Sequence, residues 1–185
     1  MSKPSQVIVL AEDSRHQEFV RRYLHRRGFR EHHIYFEKLP SGTGSGEQWV
    51  RTRYARLVAV YRQRSVRATT ALIVVIDADT ETVADRSKRL SDALSEAGAS
   101  GRAVHEQIVL FIPKRHIETW ILCLNGSVVD EIQKYKNELA GSGGSIQTAA
   151  VAFFEWGRPN TAIPAHCIPS LSTAIAEAAR LTAAP

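Results

Sequence analysis

The sequence is poor in the features that mark secreted, membrane-spanning or zinc-bound proteins. Its 185 residues include only 2 cysteines, Cys123 and Cys167. Two such residues make neither a disulfide framework nor a metal spacing, so a reducing cytoplasm is the expected setting. No His/Cys zinc spacing occurs. No apolar run approaches the ~18 residues of a membrane span, so no membrane partner is expected. Met1 to Gln6 is short and polar and leads straight into a strand-like run, so no secretory signal is expected. There is no internal repeat, and no Gly-Lys-Ser/Thr follows a glycine-rich loop, which excludes a Walker A motif. Hydrophobic residues are 44% and charged residues 23%, ordinary globular values that exclude collagen-like and low-complexity classes.

Arginine is what the chain has in excess. The net charge is +5, and 18 of the 24 basic residues are Arg, the side chain suited to bidentate phosphate contacts. Residues 1–67 hold 14 Lys/Arg against 6 Asp/Glu, a balance of +8. Residues 68–185 hold 10 against 13, a balance of −3. This asymmetry points to a polyanion, DNA or RNA, approached through the N-terminal half. The plainer alternative is a solvated, Arg-rich surface.

Strand and helix patterns alternate. Val7 to Ala11 and Ala71 to Ile76 are continuous apolar runs, as in strands buried on both faces. His33 to Leu39 and Gln107 to Ile112 read as two further strands. Helices are expected from Arg15 to Arg27, capped by Asp13 or Ser14, from Glu47 to Arg64, over 82–97, and from Ile117 to Leu124. Pro40 to Gly46 reads as a flexible loop that could approach a phosphate or close as a lid, a plain connection being the simpler reading. The pattern implies an α/β, Rossmann-like domain over 1–140 with a mainly parallel four-stranded sheet flanked by helices. Gly141 to Ser145 looks like a linker to a small helical extension over 141–185, with helices at Val151–Trp156 and Leu171–Leu181 packed on the same domain. Trp49, Trp120 and Trp156 are expected in the core, and the Trp156 region is a possible surface for a homo-oligomer.

Two of the strands finish in acids: Glu12 and Asp13 after the first, Asp77, Asp79 and Glu81 after the third. Ligands of open parallel sheets bind beyond the carboxyl ends of strands. If these two strands are neighbours, four or five carboxylates converge, which is costly unless a cation neutralises them. Mg²⁺ or Mn²⁺, hard ions that prefer oxygen, is the expected counter-charge. A single Asp after a strand is equally a helix cap or a turn residue.

Three families carry part of this pattern. The opening Val7-Ile8-Val9-Leu10-Ala11-Glu12-Asp13 resembles a response-regulator receiver domain, but Asp77 comes late for its phospho-acceptor and Pro113-Lys114 reverses its Lys-Pro. Asp77-Ala78-Asp79-Thr80-Glu81 resembles the haloacid-dehalogenase phosphatase motif, which leaves Glu12 without a role. Over residues 6–125 the chain resembles the Toprim domain of topoisomerases, bacterial primases and overcoming-lysogenization-defect nucleases. That family has a Glu at the end of its first strand and Asp-x-Asp at the end of a later one, matched here by Glu12 and Asp77-Ala78-Asp79; Asp13 stands where Gly is common. Ile112 to Trp120 looks most like the compact Toprim proteins of bacterial phage-defence loci. The resemblance implies Asp77 and Asp79 as Mg²⁺ ligands, Glu12 as ligand or general acid/base, Glu81 as an outer ligand, and a nuclease of antiviral defence with an ATPase partner. A binding-only module and an aspartate phosphotransfer domain are the alternatives.

Other residues stay open. Asp13 and Glu118 are possible additional acids; Glu118 is equally a first-turn helix residue or a partner of Arg115. Arg15, Arg22 and Arg26 form a possible phosphate-tracking stripe on the first helix, and Lys114 and Arg115, with His116 beside them, a possible phosphate clamp; a solvated face or turn is the alternative for each.

Overall fold

The two long apolar runs become the centre of the sheet. The computed structural model describes residues 4–39, 46–139 and 143–181. In it β1 (Gln6–Ala11) and β3 (Thr70–Val75) pair in parallel from Gln6 with Thr70 to Ala11 with Val75. β2 (Ile34–Phe36) lies outside β1 and β4 (Ile108–Phe111) outside β3, also parallel, giving the order β2-β1-β3-β4. The fold is therefore α/β and Rossmann-like, with an all-parallel sheet between helices.

Successive strand residues point to opposite faces, so each apolar run serves two cores. Val7, Val9, Ala11, Ala71, Ile73 and Val75 pack with α1 (Ser14–Arg26), α4 (Ile117–Leu124), α5 (Gly143–Trp156) and α6 (Pro169–Ala178). Ile8, Leu10, Leu72, Val74 and Ile76 pack with α2 (Gly46–Ser65) and α3 (Val83–Glu96).

Several boundaries differ from expectation. β2 has three residues because His33 belongs to a short 3₁₀ turn, Glu31–His33, and the last ladder bond beyond Phe36 is Glu37 N–H to the Val9 carbonyl at 2.8 Å. Of the expected loop, Pro40 to Ser45 lie outside the described residues, and Gly46 already opens α2. Gly143 to Ser145, expected as linker, form the first turn of α5, which buries Ala149, Ala150 and Phe153. The Phe153 ring sits 4.9–6.2 Å from the rings of Phe19, Tyr23, Phe111 and Trp120, so α5 completes one core. Trp120 is fully buried; Trp49 and Trp156 are partly so. Among the described residues no helix is long and apolar enough to cross a membrane.

The strand order fixes where a ligand can sit. β1 leads through α1 to β2 on one side, and β3 leads through α3 to β4 on the other. α1 and α3 lie on opposite faces. The carboxyl ends of β1 and β3 thus flank the switch point, the usual ligand crevice of an open α/β sheet.

Candidate metal centre

Glu12 extends β1 by one residue, its N–H bonded to the Val75 carbonyl at 3.1 Å. Its Oε2 accepts from the backbone N–H of Asp77 at 3.0 Å, across the switch point. The ladder from β3 to β4 likewise continues past the strands, with Ala78 N–H on the Pro113 carbonyl at 2.8 Å, and this fixes the Asp77 backbone. Asp77 is buried, 4% exposed. Asp79 takes a left-handed conformation, φ 54°, which Asp tolerates better than most residues, and its side chain is half exposed. Of the acids expected to converge, Asp77 meets Glu12 on one side and Asp79 on the other, while Asp13 and Glu81 join neither group. Ligand atoms of Glu12, His16 and Asp77 lie within 4.8 Å of one another, as do those of Asp77, Asp79 and His116, with Asp77 common to both groups.

The two histidines organise these carboxylates. His16 is completely buried, with Nδ1 2.8 Å from Asp13 Oδ1 and Nε2 2.9 Å from Asp77 Oδ1. Ionised carboxylates only accept, so both ring nitrogens donate and His16 is an imidazolium. Burial alone would strip that proton, but the charges of Asp77 and Asp13 outweigh it and hold the ring well above the usual imidazole range. Reciprocally, burial would raise both aspartates, and His16 holds Asp13 and Asp77 below the ordinary carboxylate range, with His116 assisting at Asp77. His116 Nδ1 lies 3.4 Å from Asp77 Oδ2 and 3.6 Å from Asp79 Oδ1. Glu12 behaves oppositely: burial, then the Asp77 charge, pushes its carboxyl up. Glu12, His16, Asp77, Asp79 and His116 form a cluster that could hold a metal ion.

Gly46, the first residue of α2, lies against Glu12. A Cβ there would stand 2.6 Å from Glu12 Cγ and 3.0 Å from its carbonyl oxygen, so only glycine lets this helix end approach the acid.

The remaining expected residues have other partners. Asp13 is the N-cap of α1, accepting from the N–H groups of Arg15 and His16 at 2.8 and 3.0 Å. Glu81 does not join the acidic groups; its carboxylate pairs with Arg86 and Arg89 on α3, because the tight turn from Ala78 to Glu81 carries it away. Glu118 is buried and pairs with Arg15, tying α4 to α1, so it neither reaches the acidic groups nor pairs with Arg115. Arg22 bonds Glu18 and Gln147 at 2.6 Å each, and Arg26 bonds Glu155 at 2.6 Å while lying over Phe154. The expected phosphate stripe on α1 is thus a contact with α4 and α5, made where two helices cover one sheet face. Lys114 Nζ donates to the Thr80 and Glu81 carbonyls at 3.4 and 2.5 Å, and Arg115 to the Asp79 carbonyl at 3.4 Å. These two cations brace the acidic turn from behind.

His16 had no role in the sequence reading, although a signal existed. Asp13 and His16 stand three apart, the spacing of an N-cap and its N3 residue. The chain matches no protein-family model, and no curated protein or solved structure is similar to it at a significant level.

Proposed function

We propose that the crevice between β1 and β3 holds Mg²⁺ or Mn²⁺ on Glu12, Asp77 and Asp79 and that the protein is a Toprim-like nuclease hydrolysing nucleic-acid phosphodiesters. The observation that carries this reading is the meeting of Glu12 and Asp77, from adjacent strand ends 65 residues apart in sequence, with Asp79 beside them through His116. The donor chemistry suits a hard divalent ion, because Asp77 offers carboxylate oxygen together with Glu12 in one group and with Asp79 in the other, while His16 has both nitrogens turned onto carboxylates. Such an ion lowers the pKa of bound water and stabilises charge on a phosphoryl group.

The chain's own residues have separable tasks. His16 and His116 hold the Asp77 carboxylate in one orientation from opposite sides. Glu12 spends Oε2 on the Asp77 N–H, which leaves Oε1 for the cation or for a proton of the attacking water. Its raised pKa suits proton transfer. Lys114 and Arg115 keep the turn carrying Asp79 in place.

The test is cleavage of labelled single- and double-stranded DNA and RNA with Mg²⁺, Mn²⁺ or EDTA. Divalent-dependent products are expected, reduced about 100-fold or more in Asp77→Asn and Asp79→Asn. Cleavage unchanged in these variants, or no Mn²⁺ binding by the wild-type protein in a calorimetric titration, removes the reading. Binding without cleavage at any divalent concentration selects the binding-only module.

A further inference from the structure

At the far end of β1, about 20 Å from Glu12 at ~3.3 Å per strand residue, a second concave site opens. A cavity of about 390 Å³ is lined by Gln6, Tyr35, Gln63, Arg64, Arg67 and Ala68. That volume lies in the range of small-ligand sites. Tyr35 leaves 46% of its surface exposed on the outer strand β2, and the Arg64 guanidinium lies over its ring at 5.9 Å. Gln6 and Gln63 add amide groups able to bond a base edge.

Most of the described arginines pair with acids, and Arg64 and Arg67 are among the few that do not. On α1, Arg15, Arg21, Arg22 and Arg26 all pair with acids. On α2, Arg53 and Arg56 share Glu37, and Arg62 pairs with Glu106. Among the described residues no acidic side chain lies within salt-bridge range of Arg64 or Arg67, both exposed. A cation at the end of α2 suits the helix dipole. The dipole does not explain an exposed aromatic ring beneath that cation.

We propose that this cavity binds a nucleotide unit, its planar ring stacked on Tyr35 and its phosphates on Arg64 and Arg67. An aromatic face beside unpaired arginines is the chemistry by which proteins hold single strands without sequence preference. The unit belongs either to a strand or to a free nucleoside phosphate. The strand assignment rests on the nuclease reading, and it makes the cavity a handle for a substrate whose other part reaches the acids. Spanning 20 Å takes about six nucleotides at ~3.4 Å each.

The experiment reads binding without cleavage: fluorescence anisotropy of a labelled 12-nucleotide DNA strand, in EDTA, with the wild-type chain, which is expected to bind. The double variant Arg64→Gln/Arg67→Gln is expected to bind about tenfold more weakly, and its salt slope to fall by about 1.4, two phosphate contacts at ~0.7 each. Tyr35→Leu is expected to weaken binding about fivefold or more. Circular dichroism melts of these surface variants separate lost binding from lost fold. Displacement of the probe by AMP at the same residues assigns the cavity to free nucleotides; displacement by oligonucleotides alone assigns it to a strand, and either result supports the cavity. Wild-type affinity and slope in all the cavity variants, or no binding by the wild-type chain, overturns the proposal. If the cavity binds but no divalent ion yields cleavage, the nuclease reading fails and the cavity stands.

Discussion

Between Asp13 and Asp77, His16 has no solvent contact and both of its ring nitrogens are bonded to carboxylate oxygens. Removing it leaves a buried Asp77 facing Glu12 with only His116 to offset the charge, and breaking a buried ion pair on one side costs about 3–5 kcal/mol. His16→Ala is therefore expected to lower the unfolding free energy at pH 6 by about 3 kcal/mol, measured by urea denaturation in EDTA. The proton on His16 is held more tightly in the folded chain than in the unfolded one. Its stabilisation is complete below the unfolded imidazole value of 6.5 and is lost as pH rises through the higher folded value. A wild-type stability that rose with pH above neutrality would contradict this assignment. Glu12 has the opposite sign, because its raised carboxyl makes ionisation at neutral pH a cost of folding. Glu12→Gln keeps an acceptor for the Asp77 N–H and removes that cost. In EDTA at pH 7 it should melt a few degrees higher, about what ~1 kcal/mol gives in a domain of this size. The gap should close as pH falls toward the unfolded Glu value of 4.5, where the wild-type carboxyl is protonated anyway. A lower melting temperature in Glu12→Gln at pH 7 would falsify the assignment.

Elements meet their unsatisfied edges with ion pairs. β4 is an outer strand whose free side would present bare N–H and C=O groups to other chains. Here Arg102 donates to the Ile108 carbonyl at 2.8 Å, and Glu177, on α6, accepts from the Leu110 N–H at 3.3 Å. The two side chains also pair with each other, so together they stand in for a missing strand. Glu177→Ala is expected to cost about 2 kcal/mol through the unpaired Leu110 N–H and stranded Arg102, and to raise aggregation on warming. Chemical denaturation and static light scattering would check both; a variant as stable and as monodisperse as the wild type would show that the pair does not protect this edge.

Over the whole molecule, α5 holds the larger core together. Phe153 lies among rings from α1, β4 and α4, with interplanar angles from 16° to 86°. Arg22 and Arg26 secure the same helix to α1 from the rim. Phe153→Ala is expected to cost about 3–5 kcal/mol, a large share of the ~5–15 kcal/mol that separates a domain from its unfolded state. A chain ending at residue 140 should lose cooperative melting for the same reason, as near-ultraviolet circular dichroism against temperature would report. A sharp transition in that truncated chain would mean that the α/β portion holds itself together without α5.

How much of this was legible in sequence depends on the range of the forces involved. The continuous apolar runs around Val9 and Ile73 specify strands covered on both faces, and the alternation of strand and helix specifies a parallel sheet, because these are properties of neighbouring residues. The acids Glu12, Asp77 and Asp79 could be singled out because each stands at a strand end. Which strand lies beside which is not a local property. Only the packed sheet sets β1 beside β3 and brings Glu12 onto the Asp77 N–H. Packing also gave Arg15 to Glu118 and Glu81 to the arginines of α3, pairings between residues whose sequence neighbours carry no sign of them. It placed His16 between two carboxylates as well, since a buried charge takes whatever opposite charge the fold brings within reach.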